Sequence, residues 1–220
     1  MDATRRQRIL RAVITMALGI AGISLAAFDP RIAWRDPVFY ALGAAMLAWT
    51  VAENVALQQD EPKDYRGKRN TRLLQGAVML TAVLGAIERY HLPAATLPRT
   101  MTIAVAGALI ILGGGALRIV AIRTLAQHFR YELRVEAGQR VVDHGVFRHI
   151  RHPSYLGLLI IVIGEAIVLS SLLAFLVGTT LLLAILAARI REEEKVMLAS
   201  FGEAYEEYCR RSWRLVPPFY

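Results

Sequence analysis

Residues Pro153 to Ala188 read PSYLGLLIIVIGEAIVLSSLLAFLVGTTLLLAILAA, thirty-six positions whose only charge is Glu165. As one helix at 1.5 Å per residue the run would be about 54 Å long, nearly twice a bilayer core of about 30 Å. As two helices of about eighteen residues turning near Ser170 and Ser171, it makes a membrane hairpin. Further charge-poor windows precede it: Thr100 to Leu117, Leu73 to Ile87, Pro37 to Gln59 broken only by Glu53, and Ala12 to Phe28. The Leu73 window is short, and Tyr90 and His91 extend it into the interface. The sequence therefore predicts an all-α integral membrane protein with about six transmembrane helices. Ala12 to Phe28 follows a basic start, and Ser24-Leu25-Ala26 offers a small-x-small cleavage site. Its apolar core of seventeen residues exceeds the usual run of about 7 to 15 in a signal peptide, so it reads as a retained anchor.

Composition agrees. The chain has 220 residues, 55% apolar and 20% charged, a net charge of +8 and one cysteine. That excludes a disordered chain, a collagen-like fibre and a disulfide-built secreted domain. Of the twenty-six Lys and Arg, only Arg31, Arg35, Arg89 and Arg99 fall on one side of the predicted membrane, and the other twenty-two on the opposite side. The positive-inside rule then puts both termini in the cytoplasm. Anionic lipid is a sufficient partner for the basic face, and no nucleic acid is expected. The short, Arg-rich form points to a bacterial inner membrane.

Two polar segments on the basic side flank the hairpin and meet at the membrane surface if it closes. In the first, Asp143-His144-Gly145 reads as a turn, and Pro153 suits the first position of a helix. Ser154 and Tyr155 then lie in a first turn whose unbonded N–H groups and dipole favour an anionic group. In the second, Arg189 and Glu193 are four apart and share a helix face. A surface ion pair is the bland account of them; their position one turn past a membrane span makes a cleft the sharper one. Tyr205, Tyr208 and Trp213 recur on one face of a predicted interfacial helix. No His pair has His-x-x-x-His spacing with a third ligand, so no metal is expected. Gly113-Gly114-Gly115 lies inside an apolar helix and predicts close helix packing. Glu53 and Glu165 are expected to face the bundle interior, Glu165 as a neutral, hydrogen-bonded acid.

These residues resemble a family. Gly145 to Gly157, GVFRHIRHPSYLG, is similar to the signature of the isoprenylcysteine carboxyl methyltransferases, and so is Arg189-x-x-x-Glu193-Glu194 followed by Phe201-Gly202-x-x-Tyr205-x-x-Tyr208. Leu117 to Leu125 resembles the end of their fourth helix, with Ala126 standing where the family often has glycine. The likeness runs from about residue 105 to 218 and divides the chain into N-terminal helices, 1–104, and a methyltransferase core, 105–220. It implies an S-adenosyl-L-methionine-dependent enzyme with a cytoplasmic cofactor pocket formed by the last hairpin and its flanking segments. By it, Arg134, Gln139, Arg140, Val141, Val142, Phe147, His152, Pro153, Ser154, Tyr155 and Glu193 would line the cofactor. Arg189 would hold the substrate, and Arg189 and Glu193 would carry catalysis. The expected acceptor is the carboxylate of a prenylated cysteine or another amphiphilic acid. A phospholipid amine or small thiol, and a non-enzymatic membrane scaffold, are the alternatives.

Overall fold

The structure is a computed structural model that describes residues 30–56, 68–92, 98–125 and 141–218. The predicted first span, Ala12 to Phe28, lies outside the described residues. The elements are α1 (Pro30–Arg35), α2 (Pro37–Ala56), α3 (Lys68–His91), α4 (Met101–Leu125), a 3-10 turn (Gly145–Arg148), α5 (Pro153–Val168), α6 (Ala174–Phe201) and α7 (Glu203–Arg210). Among the described residues there is no strand, only an isolated parallel bridge between Ile150 and Trp213. Met101–Leu125 and Ala174–Phe201 are long and apolar enough to cross a membrane, by length and composition, and Pro37–Glu53 and Pro153–Val168 are shorter apolar helices. In α6 the apolar run closes at Ala188, and a polar stem from Arg189 continues to Phe201.

Local chemistry sets the helix ends. Asp36 Oδ1 accepts the Val38 N–H at 3.0 Å, capping α2 ahead of Pro37. Thr100 Oγ1 does the same for Ile103 at the start of α4. The hairpin turns where the sequence placed it. Leu169 follows α5, Ser170 takes φ +53°, and Ser171 Oγ accepts the Ala174 N–H at 2.9 Å. Glu88, from α3, accepts the Leu173 N–H at 2.7 Å and the Ser171 hydroxyl, so a buried carboxylate from another helix closes the turn.

α4 and α5 are antiparallel and touch backbone to backbone. A Cβ added to Gly114 would lie 2.6 Å from the Gly157 carbonyl oxygen, and one added to Gly157 would lie 2.6 Å from that of Gly114. Seven residues away in each helix, Gly107 and Gly164 repeat the contact at 2.9 Å. Gly115 receives the Trp49 ring of α2. The close packing expected of the glycine triplet is therefore found at Gly114 and Gly115, whereas Gly113 faces away with nothing within 4 Å. Without a hydrophobic drive between helices in lipid, such seams supply dispersion contact.

The two ends of the bundle carry different residues. At one end Arg89 Nε bonds Asp36 Oδ2 at 2.6 Å, Arg99 bonds the Glu88 and Leu92 carbonyls, and Ser170 reaches Pro98. These belong to the arginine-poor side of the sequence reading. Glu53, Arg118, Ser154, Tyr155 and Arg189 gather at the other end.

Candidate active site

Pro153 opens α5 at its first position, and its N-cap, His152, makes no side-chain cap. Tyr155 thereby emerges from the first turn beside the stem of α6. Its hydroxyl accepts from Arg189 Nε at 2.5 Å and donates to Glu193 Oε2 at 2.7 Å. The Arg189 side chain is 4% exposed, which removes the surface-pair account. Arg189 and Glu193 share a helix face, as their spacing predicts, and one phenol bridges them. The ring of Tyr155 stacks on His152, with centroids 5.6 Å apart and planes 9° from parallel.

A second cluster lies one residue along. Glu194 accepts from Arg151 Nε at 2.9 Å, from Arg214 at 2.9 Å and from His152 Nε2 at 3.4 Å. Arg151 Nη1 also bonds the carbonyls of Cys209 and Ser212. The backbone follows: Arg151 N–H to the Trp213 carbonyl, His152 N–H to that of Arg214, and Trp213 N–H to that of His149. The two polar segments flanking the hairpin thus join as the sequence predicts. The interfacial helix needs a correction. Tyr205 and Tyr208 are buried against the protein, and the Tyr208 hydroxyl donates to the Phe147 carbonyl at 2.7 Å. Only Trp213 of the predicted face is exposed, because the arginine–Glu194 network draws this segment inward.

Burial alone would push the Glu194 carboxyl up. The hydrogen bonds and charge of His152, then Arg151 and Arg214, outweigh it and hold the group at about 2. A carboxylate held below its ordinary value contributes stability at neutral pH, and that contribution is lost as pH falls from about 4.5 towards 2. The thermal midpoint of detergent-solubilised protein should therefore fall across that interval. Glu194→Gln should begin lower at pH 7 and lose much less over the same interval. Equal acid sensitivity in the two proteins would assign the titration to another group.

Deeper, Arg118 of α4 is 6% exposed and Glu53 of α2 is 7% exposed. Arg118 Nε and Nη2 bond the two Glu53 oxygens at 2.9 and 2.8 Å, and Nη1 bonds Ser154 Oγ at 2.6 Å and the Ser154 carbonyl at 3.3 Å. Sequence reasoning placed Glu53 in the interior without its partner. The available signal was cost: a charge in an apolar window requires an opposite charge, and Arg118 ends the glycine-rich run. Glu165 faces the interior as expected and is fully buried, but among the described residues neither oxygen has a hydrogen-bond partner, contrary to the expected bonded acid. Its own helix also turns Ile161 and Val168 into the buried core.

Of the remaining predicted site residues, Phe147 is buried in the 3-10 turn, and Val141 and Val142 are half-buried just before it. Arg134, Gln139 and Arg140 lie outside the described residues. Among the described residues no group of three or more His, Cys, Asp or Glu is placed to hold a metal. Beside the Glu53–Arg118 pair, α2 and α4 flank an apolar cleft of about 500 Å³ lined by Leu47, Ala48, Val51, Ala52, Ile119 and Arg123.

Comparison with known proteins gives one direction. Residues 105–199 match the isoprenylcysteine carboxyl methyltransferase family. A probable protein-S-isoprenylcysteine O-methyltransferase of Oryza sativa subsp. indica is 28% identical over 155 residues, which are 67% of this chain and 81% of that protein. Protein-S-isoprenylcysteine O-methyltransferase B of Arabidopsis thaliana is 33% identical over 107 residues, 48% of this chain and 54% of that one. Among solved structures, the eukaryotic intramembrane Ras methyltransferase ICMT superposes with a TM-score of 0.67 at 22% identity, covering 96% of this chain and 75% of that chain. That likeness shows the fold. The family resemblance read from the two sequence signatures is borne out over the matched residues.

Proposed function

We propose, from the premise that residues 105–199 carry an isoprenylcysteine carboxyl methyltransferase core, that this chain is an S-adenosyl-L-methionine-dependent membrane methyltransferase. Its acceptor is the carboxylate of a prenylated cysteine or another amphiphilic acid. The names of the relatives support the reaction class. The observation that carries the assignment of the site is the Arg189–Tyr155–Glu193 chain of hydrogen bonds, which runs from the buried Arg189 to half-buried Tyr155 and Glu193 where the last hairpin meets its flanking segments.

The residues fit the cofactor's chemistry. Glu193 is the acidic partner an amino-acid ammonium needs, and the stacked His152 and Tyr155 rings give an aromatic wall. S-adenosylmethionine supplies, when bound, an electrophilic methyl group on a sulfonium. The protein's share is positioning. A carboxylate acceptor is already ionised at pH 7, so no general base is needed. Arg189 offers a planar fork that matches a carboxylate. Its bond to Tyr155 sets the plane of that fork, and Glu193 holds the phenol from the other side. Orientation of this kind is worth large effective molarities. The apolar cleft between α2 and α4 supports entry of a hydrocarbon chain from the bilayer while the head group stays at the polar end. The setting proposed is a bacterial inner membrane crossed about six times, with the site and both termini on the cytoplasmic face.

Calorimetry with S-adenosylhomocysteine tests this reading. Saturable binding is expected, weakened at least tenfold by Glu193→Gln. Folded protein that binds none at millimolar ligand overturns it.

A further inference from the structure

We infer that Glu53 and Arg118 form a positioning device for methyl transfer: the pair holds the first turn of α5, and through it the Tyr155 hydroxyl, at the spacing Arg189 and Glu193 require. The inference rests on the methyltransferase reading above. It gives a role to two residues to which the resemblance assigned none: Arg118 lies within the family-matched residues and Glu53 outside them.

Three helices converge on one guanidinium. Two of its nitrogens meet the two oxygens of Glu53 from α2, and the third meets both the hydroxyl and the carbonyl of Ser154 in α5. All three residues are buried. A buried ion pair at best roughly balances its desolvation, so apolar residues of similar volume would serve stability as well or better. What apolar residues lack is direction. Arg118 bonds the first turn of a helix whose N-cap residue, His152, turns its side chain to Glu194 and makes no capping bond. The next residue, Tyr155, then reaches the fourth helix, α6, at Arg189 and Glu193. The seam leaves no slack: the Cβ position at Gly157 is 3.0 Å from Arg118 Cβ. A shift of Arg118 therefore moves the turn that presents Tyr155. Misplacement of this size costs turnover more than binding, because orientation counts most in the transition state.

The full-length protein in detergent decides the matter, with labelled S-adenosylmethionine and a prenylcysteine acceptor. kcat, both KM values, the S-adenosylhomocysteine Kd and the thermal midpoint are measured for the native chain, Glu53→Gln, Ser154→Ala, and the double variant Glu53→Leu with Arg118→Met. Glu53→Gln should lower kcat at least tenfold with KM and Kd within threefold of native. Ser154→Ala, which removes only the hydroxyl link, should lower kcat about threefold or more. The double variant should recover the native midpoint without recovering kcat. A double variant with native midpoint and kcat within twofold of native overturns the inference and leaves the pair structural. Where the double variant does not fold, Ser154→Ala decides: native kcat overturns the inference. Native protein that methylates no acceptor overturns the methyltransferase reading, and this inference with it. Native turnover that the variants share overturns this inference alone.

Discussion

Arg189→Lys is expected to lower turnover on a carboxylate acceptor by about a hundredfold or more, while S-adenosylhomocysteine affinity stays within threefold. The charge survives the substitution, but the fork and the Nε–H bond to Tyr155 at 2.5 Å do not. Misorienting a bound acceptor by as little as about 1 Å can cost a factor of about 10² in rate. The native arginine is 4% exposed, so solvent cannot replace what is lost. Glu193→Gln should divide the two effects the other way, weakening the cofactor first. Tyr155→Phe should approach Arg189→Lys in kcat, since it removes the atom both residues share. The measurement is steady-state methyl transfer alongside calorimetry. Arg189→Lys retaining half of native turnover would remove Arg189 from the substrate contact. Normal methylation of a phospholipid amine by Arg189→Ala would replace the carboxylate assignment with the amine one.

The second large effect is on folding. Gly114→Val and Gly157→Val should each lower the thermal midpoint in detergent by about 5 °C or more, and together should abolish recovery of folded protein. Each added Cβ meets a backbone carbonyl oxygen at 2.6 Å, and backbone atoms in a packed helix cannot turn aside. Overpacking of this kind costs about 1–3 kcal/mol per site. Alanine makes the sharper comparison. Glycine to alanine within a helix gains up to about 1 kcal/mol in propensity wherever it is made. Gly113→Ala, with nothing within 4 Å, should be neutral or stabilising. Gly114→Ala, one residue on, should destabilise despite the same gain. Equal midpoints for those two alanine variants would show that the α4–α5 seam is not tightly closed.

Much of this protein is legible one residue at a time. The Pro153 to Ala188 run must break because no bilayer accommodates it as one helix, and small polar residues at Ser170 and Ser171 mark the break. Helix starts at Pro37 and Pro153 follow from proline's missing N–H and fixed φ. The spacing of Arg189 and Glu193 puts them on one face because an α-helix turns once in 3.6 residues. The arginines of the two ends segregate in the bundle as they segregate in the sequence, since charge is costly in hydrocarbon wherever the chain later folds.

Partnership across helices is another matter. Glu53 and Arg118 stand sixty-five residues apart, and nothing in a local window says that they meet. The same holds for Glu88, which caps a turn eighty-three residues away. The Tyr155 phenol, read from sequence as one of several cofactor contacts, becomes the hinge of the site only when α5 lies against α6. Tyr205 and Tyr208, expected on an interfacial helix, are instead buried against the protein, because Arg151, Arg214 and His152 converge on Glu194 and hold the C-terminal segment on the hairpin. Helical period and the cost of charge in lipid act along the chain, so the sequence by itself determined the hairpin, the helix starts at proline and the inward facing of Glu53 and Glu165. Ion-pair geometry and glycine contacts depend on which helices become neighbours, and only the tertiary structure decided those.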